Sequence, residues 1–129
     1  SVFNIENHEI SDLAIESIIQ VAEYLNLDIK FEISSKTYSE TKGLEKADRL
    51  IAICKQKGII KYVNPIGGKD LYDKSYFAKK GVELLFIENT FLSYKQFENE
   101  FFEGLSIIDV LMFNSPKKVK QHLLNYALK

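Results

Sequence analysis

The residues best suited to chemistry lie in Asn64-Pro65-Ile66-Gly67-Gly68-Lys69-Asp70. Two adjacent glycines let backbone approach a ligand closely, and a lysine beside them supplies a full positive charge. Together they suit a phosphate or a carboxylate. If the segment follows a strand and precedes a helix, it also stands near the free N–H groups and partial positive charge of a helix start. The competing reading is a tight turn with a solvated lysine, since a lone Gly-Gly pair is neither a P-loop nor a dinucleotide fingerprint.

Other polar groups extend or limit that reading. Ser34-Ser35-Lys36-Thr37 offers hydroxyl donors that could complete an anion site, with Ser35 the candidate ligand, against the plainer reading of a polar loop. Arg49, the only arginine, stands four residues after Glu45, the spacing of an exposed helical ion pair; planar recognition of carboxylate or phosphate is the sharper alternative. Ser106 and Asp109 have the spacing of a capping box and are read as structural caps.

Several chemistries find no support. His8 and His122 are far apart and lack a ligand pattern, so no metal is expected, and no cofactor fingerprint is present. Cys54 lies among apolar helical residues and reads as a buried thiol. No serine or cysteine can be matched to a base, and catalytic residues therefore stay unassigned.

The elements that must hold these residues follow from periodicity. Ile10, Ala14, Ile18, Ala22 and Leu25 mark one helical face, with Ser11 as candidate N-cap. Ile29, Phe31 and Ile33 alternate with charged residues as an edge strand would. A second helix carries Leu44, Ala47, Leu50, Ile51 and Cys54 inward and ends at Lys57-Gly58. Ile59 to Val63 reads as a strand covered on both faces and ending at Asn64-Pro65. A short helix capped by Asp73 runs to Gly81, and a third apolar strand spans Val82 to Ile87. Helices Ile107 to Phe113 and Lys117 to Leu128 follow, joined by Ser115-Pro116.

This alternation predicts one three-layer α/β domain over 1–129, with a small, mostly parallel sheet of about three strands, helices on both faces and two C-terminal helices. The third strand would be an apolar edge needing cover. Between Glu88 and Gly104 the chain has no clear period and carries Phe91, Tyr94, Phe97, Phe101 and Phe102. Such a stretch either packs as core or covers a ligand.

Bulk properties narrow the functional classes. With 17 basic and 18 acidic residues, the formal net charge of -1 leaves no footprint for nucleic acid or an anionic membrane. No apolar run is long enough to insert in a membrane, and a single cysteine fits a reducing compartment, so a cytoplasmic location is expected. A homo-oligomer is left open.

Taken together, Lys46-Ala47-Asp48-Arg49-Leu50-Ile51, Asn64-Pro65-Ile66-Gly67-Gly68-Lys69-Asp70-Leu71-Tyr72, Gln96-Phe97 and Ser106-Ile107-Ile108-Asp109-Val110-Leu111-Met112-Phe113-Asn114 resemble, in order and spacing, the WbqC-like family. The resemblance implies an association with bacterial O-antigen and surface-polysaccharide assembly. By resemblance, Ser35, Arg49, Gly67, Gly68, Lys69, Asp70, Gln96, Ser106, Asp109 and Asn114 carry over as positions of interest, with Asn64 in the same loop. Asn64-Pro65-Ile66 departs from the small, glycine-containing turn expected there, which bears on substrate choice. The similarity runs from about Ile10 to Asn114 and implies the C-terminal portion of a longer protein.

Two functional classes follow. One is an enzyme or enzyme part handling an activated sugar or an acyl or aminoacyl donor, its partner a phosphate- or carboxylate-bearing small molecule such as a nucleotide-sugar. The other is a non-catalytic assembly module using the aromatic stretch and the third strand as its interface. A receiver-like domain is set aside because no acidic cluster follows the first strand.

Overall fold

The computed structural model describes residues 9–98 and 100–129, so His8 lies outside the described residues. The fold is α/β with a mixed three-stranded sheet. The chain forms two compact units, one from Ser1–Phe31 with Phe91–Leu124 and one from Glu32–Thr90 with Asn125–Lys129.

The second unit holds the sheet. Helix α3, Lys46–Gln56, ends at Lys57 and Gly58, whose positive φ of 65° suits a residue without Cβ. Strand β1, Lys61–Pro65, pairs in parallel with β2, Glu83–Asn89, in a register that sets Tyr62 beside Leu84 and Asn64 beside Phe86. Helix α4, Lys74–Lys79, links them and is capped as expected, Asp73 accepting from the Ser75 N–H at 2.7 Å. Residues two apart on a strand share a face, so Val82, Leu84 and Phe86 form one buried row. Against it pack Ile51 and Cys54 of α3 and Phe77 of α4.

The strands differ from expectation in three ways. Residues 29–33 form no strand: Ile29 and Phe31 are exposed, and Glu32 accepts instead from the Tyr38 hydroxyl and the Lys57 ammonium, each at 2.5 Å. Alternation alone does not make a strand without a neighbour to complete its ladder. Ser34-Ser35-Lys36-Thr37, read as a polar loop, winds into the short helix α2, Ser34–Thr37, and a 3-10 turn, Ser39–Thr41, follows. Strand β1 is an edge with one exposed face, carrying Lys61, Val63 and Pro65, and is not covered on both faces. Its edge position explains why a proline, which cannot donate to a ladder, fits at its end.

The third strand difference concerns the C-terminus. Helix α6, Pro116–Leu123, stops short of Leu128, and Tyr126–Leu128 instead forms β3, antiparallel to β2. The Asn125 amide helps make the switch by donating to the Thr90 carbonyl at 2.8 Å while its own carbonyl accepts from the Thr90 N–H at 2.9 Å. Phe86 and Lys129 exchange both backbone bonds at 2.9 Å. The apolar β2 is thereby a central strand, covered by the chain's own end.

The first unit contains α1, Ile10–Tyr24, α5, Ile107–Phe113, and α6. Ala22 and Leu25 are buried near the end of α1, and Val119 is buried in α6. The predicted inner face fails toward the start of α1: Ile10 is 87% and Ile18 58% exposed, and Ala14 is exposed too. Glu9, not Ser11, occupies the N-cap, and the Ser11 hydroxyl donates to its carboxylate at 3.4 Å. At the other junction Ser115 caps α6 by accepting from the Lys118 N–H, with Pro116 at the first helical position as expected.

Phe77 is fully buried, so Phe77→Ala should lower unfolding free energy by about 3–5 kcal/mol in urea titration. A loss under about 1 kcal/mol would mean that the core collapses around the gap.

Candidate functional site

Helix α3 leads into β1, and α4 leads from β1 to β2, so the starts of both helices lie at the carboxyl end of the parallel strands. A hydrogen bond of 2.6 Å from the Tyr76 hydroxyl to Asp48 joins their first turns. That bond holds the Tyr76 phenol above its ordinary pKa, because the adjacent carboxylate favours the protonated form.

At the same end β1 runs into a 3-10 turn, Ile66–Gly68. Asn64 shapes it, accepting from the Tyr62 hydroxyl at 3.0 Å and donating to the Pro65 carbonyl at 3.0 Å. Gly68 then passes so close that an added Cβ would meet the Asn64 side-chain nitrogen at 2.0 Å. The two glycines therefore differ, since a Cβ at Gly67 would enter open space. The N–H of Lys69 donates to the Ile66 carbonyl and that of Leu71 to the Gly68 carbonyl, both at 3.0 Å. Asn64 and the Lys69 amide thus serve the turn, whereas the Lys69 ammonium and the Asp70 carboxylate are exposed, with no ion pair among the described residues.

Arg49 does not form the exposed helical ion pair. Among the described residues no ion pair joins it to Glu45; its Nε donates to the Thr41 hydroxyl at 3.2 Å, and that hydroxyl donates to the Tyr38 carbonyl at 2.7 Å. Its Nη2 is buried without a hydrogen-bond partner. Ser35 stands exposed on α2, and among the described residues no hydrogen bond or ion pair links Ser35, Arg49 and Lys69 to one another. Sequence reasoning missed Thr41, Tyr62 and Tyr76; only their hydroxyls beside apolar positions could have signalled them.

Gln96 belongs to the other unit, where it is buried and fully engaged. Its amide nitrogen donates to Asp109 at 2.9 Å and to the Tyr94 oxygen and the Phe102 carbonyl at 3.2 Å, while its oxygen accepts from the Phe102 N–H at 2.8 Å. Gln96 is a clasp that closes the loop to Phe102. Ser106 caps α5 as expected, accepting from the Ile108 N–H at 3.3 Å. The Asp109 carboxylate instead accepts from the Tyr94 hydroxyl at 2.5 Å as well as from Gln96. Burial first, and this bond second, push the Tyr94 phenol up. Its ring packs edge-on against Phe101 and His122, at 5.1 and 5.8 Å. Asn114 donates to the Val110 carbonyl at 2.9 Å, and its side-chain oxygen is buried without a partner.

No group of three or more His, Cys, Asp or Glu side chains with metal-holding geometry occurs among the described residues. Burial, the largest effect on Cys54, pushes its thiol up, which disfavours the reactive thiolate. Arg49 thus presents a buried donor without a partner, and Lys69 an exposed ammonium.

A family model, described as the WbqC-like protein family, matches residues 1–121. That match covers most of the chain and extends beyond the Ile10 to Asn114 stretch in both directions, so it is not confined to a C-terminal portion. No curated protein and no solved structure matches.

Because Asn64 is held by two bonds, Gly68→Ala should cost about 1–3 kcal/mol, and the cost should fall by about 1 kcal/mol or more in an Asn64→Ala background. Equal losses in both backgrounds, measured by denaturant titration, would show that this contact does not require the glycine. In the other unit, a phenol with a raised folded pKa contributes stability that is full below pH of about 10 and is lost as pH rises through the folded value. Asp109→Asn should bring the Tyr94 titration, read by ultraviolet absorbance against Tyr94→Phe, back toward its ordinary value. An unmoved titration would leave burial as the sole cause.

Proposed function

The chain belongs to the WbqC-like protein family, and from that premise we propose that it acts in bacterial O-antigen or surface-polysaccharide biosynthesis, binding an activated sugar or an acyl or aminoacyl donor by its phosphate or carboxylate. The observation that carries the reading is the buried, unpartnered Nη2 of Arg49. A guanidinium nitrogen removed from water without an acceptor costs free energy that an anionic ligand would return, and its fork geometry matches carboxylate and phosphate oxygens. Arg49 lies in the first turn of α3, where the free N–H groups and dipole also favour negative charge. Lys69 would add a mobile ammonium. In this reading Asn64 and Gly68 position the turn, and Ser35 offers a hydroxyl. The reading assigns binding and orientation of the donor, and no nucleophile.

Titration of the whole chain with nucleotide-sugars, and with acyl and aminoacyl phosphates, by calorimetry tests this. Arg49→Ala should weaken binding about ten-fold or more, the worth of one charge-assisted hydrogen bond, and Arg49→Lys should fail to restore it. Lys69→Ala should weaken binding less and reduce its salt dependence. Affinity unchanged by both substitutions would overturn the site.

A further inference from the structure

Arg49 takes its orientation from a chain of side chains that closes on its own helix. Its Nε donates to the Thr41 hydroxyl at 3.2 Å, and Thr41 is buried. A hydroxyl has a single proton, and Thr41 commits that proton to the Tyr38 carbonyl at 2.7 Å. Only the oxygen's lone pairs are left for Arg49, so the direction of the Tyr38 carbonyl sets where the arginine's acceptor points. The same carbonyl accepts the Thr41 N–H at 3.1 Å, which makes residues 38–41 one tight turn.

What locates that turn against α3 is the Tyr38 side chain. Tyr38 is 8% exposed, and its hydroxyl donates to the Glu32 carboxylate at 2.5 Å. That carboxylate also accepts, at 2.5 Å, from the ammonium of Lys57, the C-cap residue of α3. The bond to Glu32 is the largest effect on both donors and holds the Tyr38 phenol and the Lys57 ammonium above their ordinary values, so both stay protonated at neutral pH. Gln56 adds a bond to Glu40 at 2.6 Å, but both of these side chains are exposed and water competes for them. The chain of contacts thus leaves α3 at its end, through Lys57, Glu32, Tyr38 and Thr41, and returns to Arg49 near its start. All five residues belong to the sheet-bearing unit.

We infer that Tyr38 and Glu32 are positioning residues of the Arg49 site, holding the guanidinium through Thr41 in the orientation that receives an anion. This role rests on the reading of Arg49 as the anion-binding group. A hydroxyl suits the last link, because it turns the guanidinium without neutralising it. A carboxylate in its place would supply the counter-charge that the ligand is to bring. The charge that the arrangement does contain, on Glu32, is met by Lys57.

Arg49 is the only arginine, so its Nε–H gives one signal of its kind in the nuclear magnetic resonance spectrum of the whole chain. Solvent exchange of that proton in the ligand-free protein reads the bond to Thr41 directly. Tyr38→Phe and Glu32→Ala should each speed the exchange about five-fold, the worth of one hydrogen bond. Glu32→Gln keeps an acceptor for both partners and should leave the rate near its original value. Titration with inorganic phosphate should shift the same signal, and the two disruptive variants should weaken phosphate binding about five-fold as well. In a Thr41→Val background, Tyr38→Phe should add nothing to either measurement, because the route is already cut.

Exchange unchanged by Tyr38→Phe and Glu32→Ala, with phosphate still shifting the signal, would overturn the positioning role and leave the Arg49 reading intact. Equal acceleration of backbone amides throughout α3, or a Tyr38→Phe effect that persists in full without the Thr41 hydroxyl, would also overturn it, since either shows general loosening. Phosphate that leaves the signal of the unsubstituted chain unmoved would overturn the Arg49 reading, and the positioning role with it.

Discussion

One ring determines much of the sheet-bearing unit. Phe77 is fully buried, stacks on Tyr62 with centroids 6.1 Å apart and planes 10° from parallel, and meets Tyr72 edge-on at 6.0 Å. These contacts bind α4 to the edge strand β1, which has a ladder partner on only one side. From Tyr62 the constraint passes to the surface, because its hydroxyl fixes Asn64, and Asn64 fixes how close Gly68 can come. The Ile66–Gly68 turn is thus an extension of core packing. An aromatic contact several residues away decides where Lys69 stands, and nothing in the lysine's own surroundings would reveal that.

The other unit solves a similar problem with polar groups. The stretch between β2 and α5 lacks a period of its own, and Gln96 orders it by bonding with its side chain to both backbone groups of Phe102 across the loop. Phe97, next in sequence, takes a positive φ of 48°, which a side chain with a Cβ adopts only under constraint. Its ring meets Phe113 edge-on at 4.7 Å, and Gln96 is tied to Asp109. The conformation at Phe97 is therefore held from both sides, by ring contact on one and hydrogen bonding on the other. Tyr94 and Phe101 pack beside the buried amide and the carboxylate, whereas Phe91, Phe97 and Phe102 are more than half exposed.

Helix punctuation was the most legible part of the sequence. Asp73, Ser106, Ser115-Pro116 and Gly58 all mark the ends they predict, because capping depends on neighbours within one turn. Strands were read less well, since pairing depends on distant residues. Ile29 to Ile33 has the right alternation and no ladder, while Tyr126 to Leu128 is too short for any pattern and completes the sheet. The site divides in the same way. Gly68 was legible as a point of close approach, and the group it approaches is the Asn64 side chain. Asp109 at capping-box spacing was misleading, because Tyr94 and Gln96, far off in sequence, compete successfully for its carboxylate.

Arg49 joins this lesson to function. A surface arginine four residues from a glutamate has an inexpensive partner at hand, and here it turns from that partner to a buried threonine hydroxyl, leaving one nitrogen without an acceptor. If stability alone shaped the position, an ion pair in water or a neutral side chain packed against Thr41 would serve better, since a buried donor left unpaired costs about 1–3 kcal/mol. Under the proposed reading, an anionic ligand would offset that cost, since the donor is already desolvated and lacks an acceptor. The same reasoning separates Arg49 from Lys69, which is exposed and loses little by standing in water; in the proposed reading the arginine would fix geometry and the lysine would contribute charge.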